Sequence, residues 1–363
     1  MRKNKSNQSR LPLTISAQYG LVDQVTFFNK IVASTDLSNY YLLKKGEFAY
    51  NKSYSSDYPW GAIKRLDNYD QGALSSLYIC FTPQDNVVSD FILQYFESPK
   101  WHKGISEIAV EGARNHGLLN VSVQDFFHTY HYVPKDKKEQ IKISKLLMLL
   151  DERIATQNKI IEDLKKLKSA IIEIEYTPNT KTTSHIGNVI EQISKRNKNN
   201  AIQNVLSVSN RQGFIKQSDQ FENRNVASED TSNYKIVEQN DFAFNPARIN
   251  VGSIARLTTF EKGIVSPMYV CFRTQENVAP EYIGYFFESK HFYCEIQKRL
   301  EGSVRQCLSF EGLCNIPLSL PSFEMQQRIG KRLFTLGLKI KTETDLLELL
   351  NKQKQYLLRQ MFI

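Results

Sequence analysis

Between Lys138 and Glu175 the chain has neither Gly nor Pro, and apolar residues return at alternating intervals of four and three. The series is Ile143, Leu147, Leu150, Ile154, Gln157, Ile161, Leu164, Lys168 and Ile171. Seven of these nine positions are apolar, the pattern of a helix packed along another helix in coiled-coil fashion. A helix of this extent has a length of roughly 57 Å. A second series, Ile329, Leu333, Leu336, Ile340, Glu343, Leu347, Leu350, Lys354 and Leu357, repeats the first at a shift of 186. The interruptions coincide, Gln157 with Glu343 and Lys168 with Lys354. A polar residue in such a seam fixes register and partner choice at some cost in stability; the alternative is that these side chains reach past the seam edge to water. Leu146, Leu149, Ile160, Leu167 and Ile174 form an added stripe on the first helix, expected to meet another subunit or the globular domain beside it.

The remainder of the chain is also written twice. Val32 to Asn51 and Val226 to Asn245 share 10 residues in 20 at a shift of 194, and Tyr78 to Ser98 and Tyr269 to Ser289 share 10 in 21 at a shift of 191. A repeat of about 190 residues is too long for a solenoid, so the chain is two copies of a domain, each followed by a long helix. Short β-branched and aromatic runs, Ser76 to Phe81 and Val265 to Phe272, alternate with the amphipathic segments Ser89 to Glu97 and Ala279 to Glu288. The fold class is therefore α+β with a pseudo-two-fold internal repeat and a pair of long antiparallel helices as a coiled-coil spacer. Val133-Pro134 and Leu320-Pro321 mark the entries to the helices. The expected boundaries are 1–134 for the first domain, 135–176 for the central helix, 177–184 for a Thr-rich linker, 185–321 for the second domain and 322–363 for the last helix. The first copy has an abbreviated start. His185 to Glu191 and about 20 further residues precede Leu206-Ser207-Val208-Ser209, whereas Leu13-Thr14-Ile15-Ser16 follows only the basic tail 1–10. That tail is expected to be disordered, and one edge element of the first domain to be missing or supplied from elsewhere.

Composition adds an anionic partner to the candidates. The net charge is +9, with Lys and Arg spread along the chain. Cys80, Cys271, Cys294, Cys307 and Cys314 make no Cys-x-x-Cys pair and read as buried reduced thiols of a cytoplasmic protein. No run approaches the length of a membrane span, and the first residues carry no apolar signal stretch.

Motifs for chemistry are missing from the sequence. It holds no Gly-x-x-x-x-Gly-Lys-Ser/Thr loop and no Gly-x-Gly-x-x-Gly loop. Asn245-Pro246-Ala247-Arg248 falls short of the Asn/Asp-Pro-Pro-aromatic run of an amino-methyltransferase and aligns with Asn51-Lys52-Ser53, which makes it a landmark of the repeat. His128 and His131 lack a completing ligand at useful spacing, so they read as surface or packing histidines and no metal site is expected.

Three features together resemble the specificity (S) subunit of type I restriction-modification enzymes. They are Gly46-Glu47-Phe48-Ala49-Tyr50-Asn51 with its counterpart Asn240-Asp241-Phe242-Ala243-Phe244-Asn245, the run from Leu320 to Ile329 with its divergent counterpart Pro134 to Ile143, and the heptad helix that follows each. The resemblance covers almost the whole chain. It implies two homologous target-recognition domains, each reading one half of a bipartite double-stranded DNA target, with the helices setting the gap and docking two methyltransferase (modification) subunits. Restriction/translocase subunits would complete the assembly. S-adenosylmethionine would sit in the modification subunits and no cofactor in this chain, which would be a reader without catalysis.

Copies that read different half-sites differ where they read. The loop from Asn51 to Gly61 is three residues longer than that from Asn245 to Gly252 and offers Lys52, Tyr54, Ser55 and Tyr58 against Arg248 and Asn250. A second divergence follows Arg114 and Arg305 and holds Asn115 and His116 in one copy, Gln306 in the other. Arg and Lys suit guanine edges, Asn and Gln adenine edges. Arg65 and Arg256 are shared, which fits phosphate contacts or internal salt bridges. The competing reading is a scaffold whose helices tether two protein-binding modules without DNA readout.

Overall fold

The computed structural model describes residues 2–109, 117–177, 183–210, 212–220, 230–302 and 306–362. The first half comprises strands β1 (Pro12–Ser16), β2 (Gly20–Asp23), β3 (Tyr41–Lys44), β4 (Phe48–Asn51), β5 (Ala62–Arg65), β6 (Gln71–Leu74) and β7 (Ile79–Phe81). Its helices are α1 (Gln24–Phe28), α2 (Ser89–Glu97), α3 (His102–Ile108), α4 (Val123–Phe127) and the long α5 (Lys137–Tyr176). The second half comprises β8 (Thr183–His185), β9 (Ile190–Ile193), β10 (Val205–Ser209), β11 (Gly213–Lys216), β12 (Lys235–Glu238), β13 (Phe242–Phe244), β14 (Ile254–Arg256), β15 (Lys262–Val265), β16 (Val270–Thr274) and β17 (Pro317–Ser319). Helices α6 (Gln217–Gln220), α7 (Pro280–Phe286), α8 (Lys290–Gln297), α9 (Phe310–Cys314) and α10 (Phe323–Gln360) complete it. β8 takes up the end of the stretch read as linker, because its backbone pairs antiparallel with β17.

The chain divides into two compact units, Met1–Asn158 with Asp345–Ile363, and Lys159–Thr344. Each long helix therefore contributes to both. The units repeat one sheet plan: β2-β1-β6-β3 beside β5-β4-β7 in the first, β11-β10-β15-β12 beside β14-β13-β16-β9 in the second. In both, the first strand runs parallel to its inner neighbour, Leu13 opposite Leu74 and Leu206 opposite Val265. Close approach there requires glycine. A Cβ on Gly72 would stand 2.2 Å from Leu13 Cδ1, and one on Gly263 would stand 2.4 Å from Leu206 Cδ1.

The twin hexapeptides acquire a physical reason in β4 and β13. Gly46 and Asn240 take left-handed φ of 86° and 72°, which Gly and Asn tolerate best. The acid that follows closes the turn: Glu47 Oε2 accepts the Lys44 N–H at 2.8 Å, and Asp241 Oδ2 accepts that of Glu238 at 2.8 Å. The strand is then buried on both faces. Phe48 and Tyr50 point into a core with α2, while Ala49 faces the first sheet among Leu13, Ile15 and Leu43. Phe242, Phe244 and Ala243 divide in the same way in the second unit. Large residues on one side and alanine on the other follow from helix packing on one face and close sheet packing on the other.

Every position of the two heptad series is buried or half-buried. Within the first unit, Ile143 and Leu147 of α5 share a core with Leu357, Leu358 and Phe362 at the end of the chain, and Lys354 Nζ lies 2.5 Å from Asp151 Oδ1. Within the second unit, Ile171 and Ile172 share a core with Ile329, Leu333 and Leu336 of α10. The start of one helix thus meets the end of the other in each unit, which makes the pairing antiparallel. Lys168 lies 2.6 Å from Glu288 and over the ring of Tyr285, so both seam lysines are held by carboxylates. The added stripe on α5 is exposed at Leu146, Leu149, Ile160, Leu167 and Ile174, so the chain's own globular parts do not cover it.

Two expectations need correction. The basic tail is ordered: Leu42 N–H donates to Arg2 O at 3.0 Å, and Asn4, 0% exposed, exchanges bonds of 2.9 Å with Ser9. Backbone pairing and a buried amide outweigh the charge of its side chains. Among the cysteines, Cys80 and Cys271 are buried, but Cys294 is exposed and Cys307 and Cys314 are half-buried. Burial pushes the Cys80 and Cys271 thiols up to about 12, which keeps them protonated.

Candidate nucleic-acid interface

The turn that ends β13 is fixed by its own sequence. Asn245 Oδ1 accepts the Ala247 N–H at 3.0 Å, Arg248 N–H donates to Asn245 O at 3.0 Å, and Ser253 N–H donates to Arg248 O at 3.1 Å. Gly252 closes it with a φ of 91°, and Ile249, 1% exposed, anchors it to the core. With backbone and Ile249 so committed, Arg248 is turned outward and exposed, and Asn250 is half-buried beside the exposed Val251. Arg248 also stands at a cavity of 380 Å³ whose wall carries Ser207, Ser209, Gln217 and Ser253. This hydroxyl and amide lining was missed in the sequence because its residues are spread over β10, α6 and β14. The Ser207-Val208-Ser209 alternation in a strand beside the turn was the available signal.

The matching turn of the first unit begins alike, with Asn51 Oδ1 accepting the Ser53 N–H at 3.0 Å. It then departs. Ser53 bridges Leu118, Tyr54 N–H donates to Gly117 O at 3.0 Å, and Leu119 N–H donates to Lys52 O at 2.9 Å. Lys52 turns its ammonium to Val121 O at 3.3 Å, whereas Tyr54 and Ser55 are exposed. Tyr58 is half-buried and closes the longer loop by mutual backbone bonds with Ser55 at 3.1 and 3.2 Å. Gly61 ends it where a Cβ would stand 2.2 Å from Asn51 O. In the second unit Leu308 N–H donates to Pro246 O at 3.0 Å. The two divergent segments of each copy, remote in sequence, are therefore neighbours in space, the juxtaposition a reading surface requires.

The other candidates fall into two groups. Arg65 donates to Asp67 and to Asp90, each at 2.7 Å, and Arg256 pairs with Glu281 and reaches Asn240 at 3.3 Å. Both shared guanidinium groups are held by carboxylates of their own unit, the internal salt bridge of the two alternatives. Arg114, Asn115, His116 and Arg305 lie outside the described residues. Gln306 is exposed in a loop closed by the backbone pair Glu301 and Cys307 at 2.8 and 2.9 Å.

His131 is a packing histidine. Its ring nitrogens lie 3.0 Å from Tyr95 Oη and 2.9 Å from Thr129 Oγ1, and burial holds its pKa below the ordinary value, as it does for His102. Among the described residues no group of three or more His, Cys, Asp or Glu converges on one point, and no helix is long and apolar enough to cross a membrane.

A two-domain reader with adjacent variable loops on a repeated scaffold is the class that this fold and surface define. Residues 178–352 match the family model described as type I restriction modification DNA specificity domain. The chain belongs to this family and is a DNA-recognition subunit of a type I restriction-modification system. The fold is similar to that of the type I restriction-modification S subunit from M. genitalium, at 15% identity and TM-score 0.56, covering 100% of this chain and 93% of that one. It is also similar to a chain in a structure of type I R-M complex assembly and conformational transition, at 12% identity and TM-score 0.55, covering 98% and 92%. The HsdS subunit from Thermoanaerobacter tengcongensis gives 12% identity and TM-score 0.46, with 87% and 80% covered. No curated protein sequence matches the chain.

Proposed function

We propose that each copy reads one half of a split duplex sequence, that the paired helices α5 and α10 fix the gap between the halves, and that two modification subunits docked on this chain perform adenine methylation with their own S-adenosylmethionine. In a full complex, restriction/translocase subunits would join them. The observation that carries this reading is the meeting of divergent segments on an identical frame: Ser53 beside Leu118 in one copy, Pro246 beside Leu308 in the other. A net charge of +9 supplies the attraction to phosphates. The chain itself serves as a reader without catalysis, since its buried thiols stay protonated and its histidine pair is divided between packing and surface.

The test is methylome sequencing of cells with and without this chain. A bipartite methylated motif that disappears with the chain is the expected result, and its spacer length reports the gap. Loss of a continuous motif, or no change, refutes the two-headed reading. For the reconstituted complex, log affinity falls steeply with log salt when phosphates are neutralised; a flat response favours a protein-tethering scaffold.

A further inference from the structure

The second sheet of the second unit has four strands and that of the first has three. β9 lies antiparallel on the outer edge of β16, with Cys271 opposite Ile193, Phe272 opposite Gln192, Arg273 opposite Glu191 and Thr274 opposite Ile190. The counterpart of β16 is β7, where Cys80 and Phe81 stand for Cys271 and Phe272; among the described residues β7 pairs only with β4. The repeat accounts for the difference. In the second unit the chain leaves β9 and at once bonds β12, Ile236 N–H to Lys195 O at 2.8 Å and Asn197 N–H to Tyr234 O at 3.0 Å. Arg2 and Asn4 reproduce both bonds on β3, to Leu42 at 3.0 Å and Tyr40 at 2.9 Å. At this shift Arg2 stands for Lys195, and the first unit holds no counterpart of Ile190–Ile193.

The consequence is visible in the side chains that β9 would cover. Phe272 is 0% exposed and Val278 and Ala279 are 2% exposed, whereas Phe81, Val87 and Val88 are only half-buried. A cavity of 570 Å³ is lined by Cys80, Phe81 and Thr82 of this edge together with Arg2, Leu43 and the exposed Phe127. Unpaired N–H and C=O groups along a strand edge are a template for another strand, and strand addition combines main-chain bonds with pockets for alternate side chains.

We propose that the outer edge of β7 receives an antiparallel strand from a different polypeptide, one with branched aliphatic side chains at its first and fourth positions and polar ones between. β9 supplies the chemistry. Ile190 is buried with Val278 and Ala279, Ile193 packs on the cluster of Leu206 and Val208, and Glu191 and Gln192 are exposed. The first unit offers matching sockets at Val87 and Val88 and at Leu13 and Ile15. A second copy of this chain is the weaker occupant, because its β9 is engaged on its own β16.

The probe is a labelled peptide of Ser184 to Asn197 titrated into the full chain, with amide exchange read over residues 79–83. Saturable binding with slowed exchange at those amides is expected, and a peptide carrying Ile190→Asp and Ile193→Asp binds at least about tenfold more weakly. A chain with Ser184–Ser194 fused ahead of Arg2 fills the edge in cis and loses peptide binding. The proposal is overturned by absence of saturable binding, by binding that leaves exchange at 79–83 unchanged, or by equal binding to the fused chain. Protection of the same amides through self-association alone also overturns it, by assigning the strand to a second copy.

Discussion

The side-chain amide of Gln326 reaches the first turn of α7, its Oε1 accepting the Ala279 N–H at 3.0 Å while its Nε2 donates to Pro321 O at 2.8 Å. Gln140 repeats the arrangement on α2, accepting the Val88 N–H at 2.7 Å and donating to Pro134 O at 2.7 Å. A helix leaves its first N–H groups without partners, and here the long helix supplies one from a buried side chain. The glutamine of the Leu-Pro-x-x-x-x-Gln run thereby clamps each globular part to a helix.

Gln326→Ala leaves a buried donor and a buried acceptor without partners, and each costs about 1–3 kcal/mol. A lowered thermal midpoint is expected, with Gln140→Ala showing the same in the first unit. An unchanged midpoint in both variants would remove the clamp from the account.

The last aromatic residues of the long helices are equivalent plugs. Tyr176 packs on Tyr282 and Phe286 and donates its hydroxyl to Tyr282 O at 2.7 Å; Phe362 packs on Phe91 and Tyr95. Phe362→Ala should cost about 3–5 kcal/mol by cavity formation. Tyr176→Phe keeps the volume and orphans one carbonyl, for about 1–3 kcal/mol. Denaturant midpoints of the two variants check the order.

Arg248 and Arg256 predict opposite phenotypes. Arg248→Ala should weaken specific DNA binding by the reconstituted complex at least several-fold and leave the midpoint unchanged, since the side chain is exposed. Arg256→Ala removes the partner of Glu281 and should lower stability by roughly 1 kcal/mol. Equal affinity of the Arg248 variant for target and scrambled duplexes would strike it from the reading surface.

His131 gives a pH dependence of known sign. Its folded pKa is lowered by burial, so below the ordinary value of 6.5 the unfolded chain takes up a proton that the folded chain refuses. Stability is unaffected above that pH and falls as pH drops from it toward the folded pKa; His102 acts in the same direction. The urea midpoint should decline between neutral and mildly acidic pH, and His131→Gln should reduce that decline. An identical profile for the variant would assign the effect to other groups.

Periodicity and repetition in the sequence determined the two helices, their matched seam, the duplicated α+β domains and the abbreviated start of the first. These are local or translational properties: a heptad is written along one segment, and a duplication survives as identity at fixed offset. The shared hexapeptide was legible as a landmark, but its division between two cores, with Ala49 toward one sheet and Phe48 and Tyr50 toward a helix, appeared only when the sheets were assembled. Tertiary structure alone decided that Arg65 and Arg256 are held by internal carboxylates, that the basic tail is ordered along β3, and that β7 lacks an outer neighbour. It also brought the two divergent segments of each copy together, through contacts such as Ser53 with Leu118. Pairings across 25 to 65 residues depend on which backbone groups are left after the sheets close, and no window of sequence carries that remainder.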